Sequence, residues 1–174
     1  GVDGALNSVM EFTGPLIDEL PMDGRIPMAN MAIEAGGDTG IFGYDDKTKA
    51  FMDAVTKVPY TPVASDDDAR YARVVEIDVT NLRPVVALPH LPSNVHAADD
   101  VSDMQIQQVV IGSCTNGRLS DLRIAAEIFR GRQVHPMVRC NIIPGSQEVA
   151  KQAHKEGLAD IFLDSGAIFS TSTC

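Results

Sequence analysis

Two cysteines carry the chemistry that this chain can offer. Cys114 stands in Ile111-Gly-Ser-Cys-Thr-Asn-Gly-Arg118, between an apolar strand-like run and a helix-like run, and Cys174 is the last residue given. A cysteine at a strand-to-helix turn has backbone N–H groups nearby that favour thiolate over thiol. Thiolates are the ligands of soft metals and of iron–sulfur clusters. The small polar neighbours of Cys114 argue against a thiol that merely fills space. Cys140, in Val138-Arg-Cys-Asn-Ile-Ile, reads instead as the interior of a strand and as a buried core thiol. Asn30 and Glu34 fall at i and i+4 of a helical pattern, so the spacing predicts that both project from one face. The four histidines, His90, His96, His135 and His154, share no metal-binding spacing and are assigned no role. No Cys-x-x-Cys occurs, which disfavours a thiol redox domain.

The elements that must position these groups are legible as patterns. Ala5 to Phe12 reads as a helix, and Pro15 opens a second short one through Leu20. Pro27 to Ala35 reads as a third helix, stopped by Gly36-Gly37. Ile41-Phe42 is a short strand, and Asp45-Asp46 start an amphipathic helix with Phe51, Met52 and Val55 on one face. Thr56 to Asp68, with two prolines and three consecutive aspartates, is a solvated connection. Arg73–Val79 and Pro84–Leu88 are β-type runs, and 89–103 is polar and irregular.

From there strand and helix alternate. Ile106–Ile111 reads as a strand, and Asp121–Arg130 as a helix with Ser120 as N-cap and Gly131 as its stop. Arg139–Ile143 is a strand, Gln147–Glu156 a helix after Pro144-Gly145-Ser146 with Ser146 as its cap, and Ile161–Leu163 a third strand. The reading is an α/β fold with mainly parallel sheet flanked by helices in two lobes, 1–92 and 93–174. Ligands of parallel sheets collect outside the carboxyl ends of the strands. That rule gathers the loops at Cys114, at Pro144-Gly145-Ser146 and at 164–174 on one rim.

Composition narrows the classes. At 174 residues the chain can bury a good core as one domain or two small ones. Its longest apolar runs are too short to cross a bilayer, so no membrane role is expected. Three cysteines without close spacing do not make a secreted disulfide framework, and a reducing, cytoplasmic compartment is the expectation. A formal net charge of −10 without a basic, aromatic-interleaved stripe opposes nucleic-acid binding. Net charge excludes little about small anions, because screening confines each charge to a range of about 8 Å at physiological salt.

Taken together, Gly112-Ser-Cys-Thr-Asn followed by Arg118-Leu-Ser-Asp-Leu-Arg resembles the first cluster-ligand motif of the aconitase superfamily. It is nearest the branch of 3-isopropylmalate dehydratase large subunits and homoaconitases. Val2-Asp-Gly-Ala, Met10-Glu-Phe-Thr-Gly-Pro, Ala29-Asn-Met-Ala-Ile-Glu-Ala-Gly, Pro144-Gly-Ser-Gln and Gly157-Leu-Ala-Asp-Ile-Phe are similar to that family in the same order, over nearly the whole chain. The resemblance implies a [4Fe-4S] hydro-lyase working on a small hydroxy di- or tricarboxylate, with isopropylmalate first and homocitrate or homoaconitate second. It implies that Cys114 and Cys174 are two of three cluster ligands, the third following Cys174 after two intervening residues. By the same resemblance Asn30 and Glu34 reach the cluster–substrate region, Asn116 orients cluster or substrate, and Arg118 grips a carboxylate. A small subunit, the swivelling domain with the serine base, is the implied partner. The start at Gly1 and the end at Cys174 suggest an excised piece, inactive by itself. The competing class, a cluster-free RNA-binding relative, meets the charge argument above.

Overall fold

A computed structural model describes residues 2–174. The chain divides into two compact units, Gly1–Asp103 and Met104–Cys174.

In the first unit, strand β1 (Val9–Phe12) pairs in parallel with β2 (Thr39–Phe42), Val9 opposite Thr39 and Phe12 opposite Phe42. Sequence periodicity predicted a helix over Ala5–Phe12. Pairing with β2 and the stacking of Phe12 on Phe42 at 5.1 Å favour an extended backbone instead. Helix α1 (Pro15–Glu19) begins at its proline as expected. Helix α2 (Met22–Asn30) starts earlier than predicted and carries Pro27 inside it. A 3₁₀ turn, Met31–Ala35, follows and ends on Gly36 at φ +81°, the left-handed stop that the Gly36-Gly37 pair announced.

Helix α3 (Asp46–Val55) is capped by Asp45, whose carboxylate accepts the Thr48 N–H at 2.9 Å. The same carboxylate meets Arg25 at 2.6 Å, and Arg25 is only 2 % exposed. The Arg25 guanidinium also donates to the Leu20 and Asp18 carbonyls and to Thr48 Oγ1. This buried cation is satisfied by one carboxylate, one hydroxyl and two carbonyls.

The rest of the unit is extended and wet. The run 57–84 contains no strand, and Arg73–Val79, read from sequence as β, is unpaired among the described residues. Val74 and Ile77 are 74 % and 76 % exposed. β-branched composition marks a segment that fits a sheet, but a strand needs a neighbour, and none of the described strands lies alongside. Ser65 Oγ and Tyr71 hydroxyl both donate to the Glu11 carboxylate and tie this run back to β1. Further on, β3 (Val85–Ala87) and β4 (Val95–Ala97) form a small antiparallel ladder, and a 3₁₀ turn spans Ala98–Val101. The second β-type run is therefore a strand, and part of the stretch expected to be irregular is its partner.

The second unit is a three-stranded parallel sheet in the order β5 (Gln108–Gly112), β6 (Arg139–Ile143), β7 (Ile168–Phe169). Four helices complete it: α4 (Ser113–Asn116), α5 (Leu119–Phe129), α6 (Gln147–Lys155) and α7 (Leu158–Asp164). Its core joins Leu122, Ala125 and Ala126 of α5, Cys140 and Ile142 of β6, Ala153 of α6, and Leu158 and Phe162 of α7. Phe162 meets Phe129 edge-on at 5.3 Å and stacks over Phe169 at 6.1 Å.

Two sequence expectations change here. The predicted strand Ile161–Leu163 lies inside α7, because Leu158, Ala159 and Phe162 bury at helical spacing after Gly157 turns the chain at φ +71°. The cap of α5 is Arg118, not Ser120, two residues earlier than predicted, and the Asp121 carboxylate accepts the Arg118 N–H at 3.0 Å. Ser146, in contrast, caps α6 as read, its Oγ accepting the Val149 N–H at 3.2 Å.

Candidate metal centre at the sheet rim

The register fixes which loops share an edge. Gly112 lies opposite Ile143, and Ile142 opposite Phe169, so β5, β6 and β7 all end on one rim. The three loops gathered there are 113–118, 144–146 and 170–174. The third strand differs from the one predicted, yet the rim is the one the parallel-sheet rule foresaw.

At the first loop the backbone turns sharply. Gly112 adopts φ +115° and Ser113 φ +70°, the latter a left-handed conformation rare outside glycine. The turn is locked by backbone on backbone. Gly117 N–H donates to the Ser113 carbonyl at 2.9 Å, and Gly145 N–H donates to the Gly117 carbonyl at 2.7 Å. A Cβ on Gly117 would come within 2.5 Å of the carbonyl oxygens of both Ser113 and Ile143, and one on Gly112 within 2.0 Å of Ile143 O. Only hydrogen fits at these positions, which is the physical content of the glycines flanking Ser-Cys-Thr-Asn.

Cys114 projects from this mount in α4 and is exposed, as is Cys174. Their sulfurs lie 3.7 Å apart. The last loop reaches this point because the Ser170 N–H continues the ladder to the Ile142 carbonyl at 2.9 Å. The Cys114 thiol is held below its usual range, first by the Cys174 thiol and then by the hydroxyls of Ser113 and Thr115, 3.8 and 3.9 Å from its sulfur. The helix-start N–H groups expected from sequence are thus not the leading cause: a neighbouring sulfur and two hydroxyls are. Cys140 behaves as read, 3 % exposed within the core, where burial pushes its thiol up.

Arg118 lies beside the pair. Its guanidinium donates to the Cys114 carbonyl at 3.1 Å, while its buried Nε has no partner. Ser172 Oγ, two residues before Cys174, is likewise buried and unpartnered. Orphaned donors of this kind are rare in folded proteins. Asn116 is exposed at the end of α4 and makes no capping bond to α5. Asn30 and Glu34 belong to the first unit, both exposed. They do not share one α-helix, since α2 ends at Asn30 and Glu34 sits in the 3₁₀ turn. Sequence reasoning missed Ser113, Thr115 and Ser172, although the first two stood in the quoted string beside the thiol.

The donor set suits a thiophilic iron group: two exposed sulfurs converge, one of them displaced toward thiolate, with hydroxyl and guanidinium donors around them. Among the described residues no group of three or more His, Cys, Asp or Glu is placed to hold a metal.

The 3-isopropylmalate dehydratase large subunit of Heliobacterium modesticaldum is 58 % identical over 174 residues, all of this chain and 41 % of that relative. The same-named subunits of Halothermothrix orenii and Acetivibrio thermocellus are 53 % and 54 % identical, again over the whole chain and 41 % and 42 % of their own lengths. The chain thus spans about two fifths of the curated relatives that it matches. The aconitase family (aconitate hydratase) matches residues 1–103 and 94–174, and the chain belongs to that family.

Proposed function

We propose that this chain is part of the large subunit of a [4Fe-4S] hydro-lyase that interconverts 2- and 3-isopropylmalate by dehydration and rehydration, a step of leucine biosynthesis in the cytoplasm. The approach of Cys114 and Cys174 to 3.7 Å on one sheet rim carries the reading, supported by the names of the relatives. Cys114 and Cys174 hold the cluster, which when bound supplies a Lewis-acidic iron toward the substrate's hydroxyl and carboxylate. Ser113 and Thr115 donate to the ligand sulfur and offset its charge. Arg118 binds a substrate carboxylate, and Asn116 orients cluster or substrate. Glu34, helped by Asn30, orients the water that leaves and returns. The proton on carbon is taken by a base on a small subunit, the partner in this reading, so the 174-residue chain alone turns nothing over. With a net charge of −10, nucleic acid is not among its partners.

The test uses a longer polypeptide containing these residues, together with its small subunit, reconstituted anaerobically with iron and sulfide. Cys114→Ala and Cys174→Ala are each expected to abolish the cluster's visible absorbance and turnover of 2-isopropylmalate. Glu34→Gln is expected to keep the cluster and lower kcat by about 10²–10⁴-fold. A fully loaded, active Cys174→Ala variant overturns the ligand assignment, and turnover of homocitrate alone overturns the substrate.

A further inference from the structure

The three long helices of the second unit cover only one side of its sheet. Strand residues alternate between two faces. Val109 and Ile111 of β5, Cys140 and Ile142 of β6 and Phe169 of β7 turn to the core, where α5, α6 and α7 pack. The opposite face carries Val110, Asn141 and Ile168 in register across the three strands. Val110 and Ile168 there are 53 % and 50 % exposed. Sheets made only of parallel strands are almost always covered on both faces. The outer edge of β5 is open as well, since β5 ends the strand order. The Arg139 N–H donates to the Gln107 carbonyl at 2.9 Å, so the odd-numbered residues of β5 bond to β6 and the Val110 N–H points to the free edge. Its sequence, Gln-Val-Val-Ile-Gly, holds no charge or proline that would discourage pairing. We propose that this face and this edge are one docking surface for a further helix–strand unit of the same, longer polypeptide. Its strand pairs in parallel with β5, and its helix lays an apolar stripe on Val110 and Ile168.

Handedness decides where that unit enters. β5, β6 and β7 are added in one direction, with α5 and then α6 and α7 as crossovers on one face. Right-handed crossovers keep to that face for as long as strands are added in that direction. A crossover on the opposite face therefore travels back, from the β7 side to the outer edge of β5. The row Val110, Asn141, Ile168 lies along that path. Length supplies the occupant: the relatives are matched over 41 % of their own residues, which leaves about three fifths of such a polypeptide outside this chain. Docking there makes β5 an inner strand. The Cys114 loop then stands where strand order reverses, the place at which parallel sheets open a crevice for ligands. The inference goes beyond the hydro-lyase reading and does not rest on it.

The test is amide hydrogen exchange in the longer polypeptide, dilute and without its small subunit. The Val110 N–H is expected to exchange within about tenfold of the Ile111 N–H, which bonds to β6. A benzophenone side chain carried at position 168 is expected to cross-link, on illumination, to a segment of that polypeptide outside these 174 residues. Val110→Lys is expected to lower the folding equilibrium constant of this unit by about tenfold or more. Ile124→Lys, at a helix position 63 % exposed, should leave it within about twofold. Exchange is read on the unaltered sequence, so it decides the matter even where Val110→Lys fails to fold. A Val110 N–H that exchanges about 100-fold or more faster than that of Ile111 overturns the proposal. So does a cross-link confined to this chain's own residues. Protection that appears only with the small subunit, or only when copies self-associate, gives the surface to that partner and overturns it too.

Discussion

The two units bury very different things. Residues 104–174 surround nine buried residues that form one apolar core, from Leu122 and Phe162 at 0 % exposure to Ala125 at 9 %. Residues 2–103 bury little except Ala32 and the guanidinium of Arg25, and leave Val58, Val63, Val74, Ile77 and Leu82 at 71 %, 80 %, 74 %, 76 % and 74 % exposure. Apolar burial is the main favourable contribution to folding, near 25 cal/mol per Å². The second unit can therefore hold itself together on apolar burial, whereas the first rests on a polar node. The same difference separates the candidate sites. Cys114 and Cys174 are presented by a packed sheet, and Asn30 and Glu34 by a helix end and a single 3₁₀ turn.

The contrast breaks first at Phe162. Phe162→Ala removes the ring between Phe129 and Phe169 and is expected to cost about 3–5 kcal/mol, read from urea melts by residue-specific amide exchange in 104–174. A loss below about 1 kcal/mol would mean that the apolar core is not what holds this unit. Next is Asp45→Asn, which strips Arg25 of its counter-ion. A buried unpaired cation is costly, but Asp45 is 36 % exposed, so about 2–3 kcal/mol is expected in exchange of α2 and α3 amides. Gly117→Ala drives a methyl into two carbonyls and is expected to cost about 1–3 kcal/mol. It should also separate the rim thiols, seen as loss of rapid disulfide formation under mild oxidant, while Gly43→Ala, where the added methyl meets nothing, changes neither.

A smaller, pH-dependent effect comes from Glu156. The Arg123 guanidinium, at 2.7 and 2.8 Å, and then Gln152 lower its carboxyl to about 2. A depressed folded value gives stability that is present above the ordinary carboxylate range and fades as pH falls from about 4 toward about 2. Arg123→Gln should flatten that limb of the stability–pH curve, and an unchanged curve would show that the pair contributes nothing. Least of all, Ile77→Ser in the open run should stay within about 0.5 kcal/mol. A large loss there would show that this segment is already packed in solution.

Legibility in the sequence followed the same division. Where elements were set by local chemistry, reading and structure agree: Pro15 at the start of α1, Asp45 and Ser146 as caps, and β6 over Arg139–Ile143. Where long-range partners decide, they part. Val9–Phe12 becomes a strand because β2 lies beside it, while Arg73–Val79 has β composition and no partner. Ile161–Leu163 carries β-branched character, yet the packing of Phe162 against Phe129 and Phe169 makes it helix. The convergence of Cys114 and Cys174 was readable because strand order alone brings loop ends to one rim. The hydroxyls and the unpartnered Ser172 Oγ were not, since nothing in a one-dimensional string says which way a small polar side chain faces.

Strand β7 is two residues long, and it alone delivers Cys174 to Cys114. So short a ladder opens far more often than the core beneath it melts. How long the two rim thiols stay in contact is thus governed by fraying of Ile168–Phe169, and a stronger third strand would lengthen that lifetime without touching either sulfur.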